Sequence, residues 1–440
     1  MSNKLVAVVG RPNVGKSTFF NHVAGKRISI TLDMPGVTRD RIYADIEWCG
    51  HTFTMIDTGG IDIKSEDVMW QHIRRQAELA VDIADVIVFI VDGKQGILND
   101  DYRIATYLRN TRKPVVLVVN KLDNPGETPY EFYALGLGDP YGISAEHGKG
   151  TGDVLDAVVE ALGQTDTPDA VDGGLKIAVV GKPNAGKSSL VNKLLGVDRT
   201  IVSDIAGTTR DSIDSVLRRG DKTYTLIDTA GMRKQKAIGE DVEYYSVMRA
   251  LASVRRADVV LLVIDAQTEI TEQDVKIAGY IHDQGKPSVV VINKWDSIEK
   301  DTNTVVKYKK ILSNSLKFMD YYRPVFVSAL TGQRVDKVLE EAEISYANAC
   351  RRVSTGTLND VIADLIAVNE PPTKNGRRLK IYYTTQTDVC QPTFVMFVND
   401  DTLMHFSYKR YLENGLRKAF DFSGTPIKLV LRNKQDDNTV

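Results

Sequence analysis

Cysteine is scarce: Cys49, Cys350 and Cys390 are odd in number and widely scattered, so no disulfide framework is expected. No CxxC or Cys/His spacing accompanies them, which argues against a zinc site and leaves a reducing cytosol as the fitting compartment. An excess of one charge is also missing. The formal net charge is −2, so the whole chain does not read as a nucleic-acid binder, and charge has to be read segment by segment. The longest apolar runs, "VIVFIV" and "VVLLVI", fall far short of the ~20 residues that span a bilayer. The opening "MSNKLVAVVG" lacks the apolar stretch and small-residue cleavage site of a signal peptide. A cytoplasmic protein that enters no membrane is expected, and 440 residues call for two to four domains.

What the chain does have, it has twice. "GRPNVGKS" from Gly10 returns as "GKPNAGKS" from Gly181, "PGVTRD" as "AGTTRD", "MIDTGGI" as "LIDTAGM", "VVNKLD" as "VINKWD", and Ser144-Ala145 as Ser328-Ala329. The offset between copies is 171 residues at the glycine loop, 173 at NKxD and 184 at the Ser-Ala pair, the drift that loop insertions leave in a duplicated domain. Continuous β-branched runs ("LVAVVG", "DVIVFIVD", "PVVLVVN" and their second copies) read as strands buried on both faces, with helical segments between them. Each copy is predicted to be a doubly wound α/β domain.

The glycine loop between strand and helix is a phosphate cradle. Gly10, Arg11, Pro12, Asn13, Val14 and Gly15, and likewise Gly181, Lys182, Pro183, Asn184, Ala185 and Gly186, let backbone N–H groups face an anion. Lys16 and Lys187 are placed to reach the β and γ phosphates, and Ser17 and Ser188 to ligate Mg²⁺. NKxD selects the base. Asp123 and Asp296 can each accept two hydrogen bonds from guanine, which adenine cannot supply. Asn120 and Asn293 pin the loops, Lys121 and Lys294 cover the ring, and Ser144, Ala145, Ser328 and Ala329 close the pocket. The DTxG elements, Asp57-Thr58-Gly59-Gly60 and Asp228-Thr229-Ala230-Gly231, suit a γ-phosphate sensor with its acid on Mg²⁺. Thr38 and Thr209 are expected to add hydroxyls to the ion when GTP is present. The catalytic set is therefore Lys16, Thr38, Gly60, Lys187, Thr209 and Gly231.

This ordered set resembles the Era/TrmE-type branch of the translational GTPases, and its tandem form resembles the bacterial ribosome-assembly GTPases of that branch over essentially the whole chain. The resemblance implies GTP hydrolysis and action on the large ribosomal subunit. Where Ras-type enzymes carry a water-orienting Gln after DTxG, this chain has Ile61 and Met232. Some members of the branch compensate with K⁺ held partly by a loop Asn, a position matched by Asn13 and Asn184. Alternatively, those Asn side chains bond only their own backbone.

The expected organisation is a first GTPase domain over 1–162, an acidic flexible linker over 163–174, a second GTPase domain over 175–350 and a KH-like domain over 351–440. The last follows an α-β-β-α-β pattern. Residues 351–434 hold 13 Lys/Arg against 8 Asp/Glu, accompanied by Tyr382, Tyr383, Tyr408 and Tyr411, which suits RNA, although core packing is expected to claim several of the tyrosines. A GXXG clamp is absent. Arg233, Lys234 and Lys236 after the second DTxG read either as a nucleotide-gated patch or as a solvated loop. The partners expected are GTP and GDP, the large ribosomal subunit, no membrane and no DNA, with the chain a monomer. A GTP-dependent scaffold and an RNA-modification GTPase are the alternatives.

Overall fold

The computed structural model describes residues 4–26, 43–57, 77–78, 80–111, 113–124, 128–163, 174–197, 214–227, 242–374 and 376–434. Thr38, Thr58, Gly59, Gly60, Ile61, Thr209, Asp228, Thr229, Ala230, Gly231, Met232, the basic run from Arg233 to Lys236 and linker residues 164–173 lie outside the described residues. The chain divides into two compact units, Met1–Val171 and Asp172–Val440.

The first unit runs β1 (Lys4–Val9), α1 (Lys16–Lys26), β2 (Tyr43–Trp48), β3 (His51–Asp57), β4 (Val86–Asp92), α2 (Asn99–Arg109), β5 (Val115–Asn120), β6 (Pro140–Gly142) and α3 (Thr151–Gly163). Its sheet has the order β2-β3-β1-β4-β5-β6, parallel except for β2 against β3. All of β4 is buried because helices cover both faces of the sheet. Val86, Val88 and Ile90 meet Phe19, Phe20 and Val23 of α1 and Val154 and Val158 of α3 on one face. The alternate residues Ile87, Phe89 and Val91 meet Ile104, Ala105 and Leu108 of α2 on the other. This period of two puts the carboxyl end of β1 at the point where strand order reverses, the crevice in which doubly wound sheets bind ligands.

The second unit repeats the plan: β7 (Leu175–Val180), α4 (Lys187–Val197), β8 (Ser215–Arg219), β9 (Lys222–Ile227), α5 (Val242–Arg256), β10 (Val259–Asp265), α6 (Glu272–Asp283), β11 (Ser288–Asn293), α7 (Thr304–Ser315), β12 (Arg323–Phe326) and α8 (Asp336–Ala349). The sheet order β12-β11-β10-β7-β9-β8 is that of the first unit read from the other end. Within the same unit follow α9 (Thr355–Val368), a hairpin of β13 (Thr373–Lys374) and β14 (Arg377–Arg378), then β15 (Ile381–Asp388), β16 (Thr393–Val398), α10 (Phe406–Phe420) and β17 (Lys428–Asn433). The α-β-β-α-β order expected from the sequence is present with one short hairpin added. β16 pairs antiparallel with β15 and parallel with β17, and this small sheet packs through Phe394, Met396 and Val398 onto Leu358, Ile362, Leu412 and Leu416. Tyr408 is buried and donates its hydroxyl to Asn369 O, and Tyr411 bonds Leu365 O, so these two serve the core, whereas Tyr382 and Tyr383 are exposed.

The loop after α10 is built into the second α/β layer. Ser288 N donates to Gly424 O at 2.7 Å and Gly424 N to Tyr321 O at 2.6 Å. Gly424 has φ +80° and its α-carbon lies so close to Ser345 that a Cβ would collide with that side chain. Arg417 donates to Phe422 O and Thr425 O and stands 4.9 Å over the Tyr321 ring. His282 Nδ1 lies 3.1 Å from the Tyr321 hydroxyl, and burial, reinforced by Arg417, pushes its pKa down to about 4. One expectation fails here. Cys350 and Cys390, Cα atoms 4.3 Å apart, form a disulfide between the end of α8 and the β15–β16 turn. Sequence spacing offers no hint of a pair 40 residues apart that only this docking brings together.

Candidate functional site

Both glycine loops leave the central strand of their sheet and run into a helix. At Gly15 (φ +93°) and Gly186 (φ +92°) a Cβ would run into the side-chain amide of Asn120 or Asn293, so the loop can close only with glycine there. Asn13 and Asn184 adopt φ of 64° and 63°, left-handed backbone that Asn tolerates better than most residues. That conformation is a local reason for Asn at these positions.

Asn120 holds three loops together. Its Nδ2 donates to Val14 O at 2.8 Å, and its Oδ1 accepts from Ala145 N at 2.9 Å. Asn293 repeats both bonds with Ala185 O and Ala329 N, at 3.0 Å each. Lys121 Nζ donates to Asn13 O at 2.5 Å and to Asp92 Oδ2 at 2.7 Å, and Lys294 Nζ to Asp265 Oδ2 at 2.6 Å. The phosphate loop, NKxD and Ser-Ala segments, dispersed over more than a hundred residues in each copy, therefore meet in one constellation.

Asp123 and Asp296, the carboxylates expected to read the base, are exposed. In the first copy Lys94 Nζ sits 2.9 Å from Asp123 Oδ1. In the second, a hydrogen bond from Ser328 holds the Asp296 carboxyl below its usual range. Trp295, the variable residue of the second NKxD, is buried against Tyr308 and Phe326, with ring centroids 5.6 and 4.4 Å away.

At the phosphate end, Lys16 Nζ donates to Gly10 O at 2.9 Å and Arg11 O at 2.6 Å, and Lys187 Nζ to Gly181 O and Lys182 O at 2.7 Å each. Burial lowers both lysines to about 8; Asp57 opposes the shift at Lys16 and Asp274 at Lys187. An arriving phosphate can exchange those carbonyl bonds for a charge-assisted one. Ser17 Oγ donates to Asp57 Oδ2 at 2.6 Å, which brings a hydroxyl and a carboxylate together at the loop, the hard oxygen donors that suit Mg²⁺. Ser188 occupies the corresponding place in the second copy, while its expected partner Asp228 is outside the described residues.

Two of the loop residues expected to offer backbone N–H groups send their side chains away from the loop. Arg11 Nε donates to Asp101 Oδ1 at 2.8 Å, and Lys182 Nζ donates to Thr268 Oγ1 at 2.8 Å. Their side chains are engaged with the segment that leads into α2 or α6. Sequence reasoning also passed over Asp92 and Asp265, which accept from the NKxD lysines and from the backbone N–H groups of Lys94, Gln95 and Gln267. Their signal was available: each ends the repeated strand in "FIVD" and "LVID" at the NKxD offset.

Two doubly wound sheets, each with a phosphate loop pinned to a guanine-type base loop, define a tandem P-loop GTPase. The model for "50S ribosome-binding GTPase" matches residues 5–121 and again 176–294, and that for the "KH-domain-like of EngA bacterial GTPase enzymes, C-terminal" matches 352–432. GTPase Der of Clostridium perfringens is 55% identical over 438 residues, 99% of this chain and 100% of the relative. GTPase Der of Acetivibrio thermocellus is 53% identical over 440 residues, with 99% and 100% covered. The chain belongs to the GTPase Der family and is a GTPase. No helix among the described residues is long and apolar enough to cross a membrane.

Proposed function

We propose that this GTPase is a cytoplasmic, monomeric assembly factor of the large ribosomal subunit, in which two nucleotide sites control how a basic C-terminal module meets the particle. The observation that carries the reading is the combination of two constellations, each joining phosphate loop, NKxD and Ser-Ala segments, with that module. Its exposed Tyr382 and Tyr383 follow the exposed basic pair Arg377 and Arg378 in sequence, Arg378 being ion-paired with Glu370, and Lys434 stands 4.8 Å over the Tyr382 ring. Aromatic faces with cations suit RNA bases and phosphates. The family description "50S ribosome-binding GTPase" agrees with this destination. The domain limits proposed are 1–162, 163–174, 175–350 and 351–440.

In each site the loop N–H groups and Lys16 or Lys187 hold the phosphates while Asp123 or Asp296 reads guanine. Ser17 with Asp57 and Thr38, and Ser188 with Asp228 and Thr209, would hold Mg²⁺, which supplies charge neutralisation for in-line attack of water on the γ-phosphorus. Gly60 and Gly231 would offer N–H groups to the terminal phosphate. Ile61 and Met232 have no polar group with which to orient water, which supports stimulation by K⁺ at Asn13 and Asn184; equal rates in K⁺ and Na⁺ would remove that element.

Co-sedimentation with purified large and small subunits, in GDP and in a non-hydrolysable GTP analogue at fixed moderate salt, tests the assignment. Analogue-dependent binding to the large subunit is expected. Binding that ignores the nucleotide, or that prefers the small subunit, refutes it.

A further inference from the structure

The second residue of each phosphate loop is basic, and each cation turns to a carboxylate at the start of a helix. Arg11 is buried, with its Nε 2.8 Å from Oδ1 of Asp101 in the first turn of α2. Asp101 is 0% exposed, and its other oxygen accepts from Leu98 N at 3.0 Å. Asp101 thus both starts a helix and neutralises the loop. A second arm of the same guanidinium reaches Gln95 Oε1 at 3.5 Å. In the other copy Lys182 Nζ bonds Thr268 Oγ1 at 2.8 Å and lies 3.4 Å from Oδ2 of Asp274, again 0% exposed and again at the start of its helix, where it accepts from Thr271 N. Asp101 and Asp274, and Gln95 and Thr268, are separated by the 173 residues that separate the NKxD motifs. The two copies thus keep the partnership while changing its chemistry, Arg with Gln in one and Lys with Thr in the other, and in the second the cation and the N–H meet the same carboxylate oxygen.

A fully buried carboxylate is tolerated where a cation and hydrogen bonds meet it, and removing either partner strands the other. The phosphate loop must present its N–H groups to an anion before the anion arrives, and any freedom it keeps is lost on binding. We propose that Asp101 and Asp274 are positioning residues for nucleotide binding: each clamps its phosphate loop, through Arg11 or Lys182, to the helix that follows β4 or β10, without touching the nucleotide. The clamp also reaches the base side, because the loop carrying Gln95 or Thr268 begins at Asp92 or Asp265, the acids that bond Lys121 and Lys294. Arginine's Nε–H bond at 2.8 Å, with Nη1 turned to Gln95, fixes its loop more firmly than the lysine point charge at 3.4 Å, so the first site depends on its clamp more than the second.

Asp101→Asn keeps an oxygen for Leu98 N–H, and hence the helix start, while removing the charge. Arg11→Met removes the cation from the other side. Both are made in the full chain with the second site silenced by Lys187→Ala, and read with a fluorescent GDP analogue and GTP turnover. Each should weaken the GDP analogue about tenfold through faster dissociation, and raise KM for GTP more than it lowers kcat. The double variant should be no worse than the poorer single, and Arg11→Lys should retain most of the affinity. Asp274→Asn and Lys182→Met, in a Lys16→Ala background, should act in the same direction with smaller effect, and they carry the test if the first-copy variants do not fold. A lowered melting temperature with unchanged GDP affinity, or losses that multiply in the double variant, would overturn the proposal.

Discussion

Asn120→Ala should release the first site's three loops from one another. The residue is 2% exposed and spends both ends of its amide on backbone, at 2.8 Å to Val14 O and 2.9 Å from Ala145 N. Truncation leaves one buried acceptor and one buried donor unmet, each worth about 1–3 kcal/mol. Water entering the vacated space recovers part of this, so ~3 kcal/mol is expected in total, divided between the stability of the empty site and nucleotide binding, which makes about 150-fold the upper limit of the loss in affinity. Asn293→Ala, with both bonds at 3.0 Å, should cost the second site a similar amount. The assay is titration of a fluorescent GDP analogue into the full chain with the other site silenced by Lys187→Ala or Lys16→Ala, alongside a thermal melt. A loss smaller than about threefold with an unchanged melt would refute the reasoning, since it would mean that the loops keep their places without the amide.

Three further outcomes are expected. Burial lowers empty-site Lys16 and Lys187 to about 8, whereas bound phosphate favours the charged form, so binding takes up a proton above pH 8. GDP affinity is then full below pH 8 and falls about tenfold between pH 7 and 9, with calorimetry in buffers of different ionisation heat reading the proton; a flat profile refutes this. His282 is depressed from 6.5 to about 4, so the stability tied to its neutral ring is present above pH 6.5 and lost as pH falls through 4, ~3 kcal/mol in all. A urea series should show that slope and His282→Gln should flatten it; equal slopes would count against the buried neutral ring. Finally, a thiol reagent should find Cys49 alone in the native protein and still find one thiol after unfolding without reductant, because Cys350 and Cys390 are bonded. Three equivalents in denaturant alone would show that they are not.

The tandem α/β plan was legible because a strand buried on both faces, such as "VIVFIVD", leaves a run that few other structures explain, and because the chain repeats it with its loops in order. The C-terminal pattern was legible from a different signal, strand alternation between helical periods, apart from β13 and β14, whose two-residue strands carry too few side chains to show a period. Less visible were the acids behind the loops. Asp101 and Asp274 look like ordinary first-turn helix carboxylates, and only a fold that carries the phosphate loop against that turn turns them into ion-pair partners. The side chains of Arg11 and Lys182 were illegible in the complementary way, since the loop motif accounts for their backbone N–H groups and leaves the partner of each cation open. The Cys350–Cys390 bond was hidden because contact between the two residues depends on docking of the C-terminal module, which leaves no periodic trace.

Gly424, lodged between Ser288 and Tyr321, decides where this chain can be divided. The first α/β unit, Met1–Val171, has its own sheet and its own core, so it is expected to fold when expressed alone as a gene fragment. A stop codon after α8 would instead leave the second sheet with an unmet N–H at Ser288, an unmet carbonyl at Tyr321 and a bare Tyr321 ring. The last two modules are therefore a single heritable piece, and recombination within this family should respect that seam.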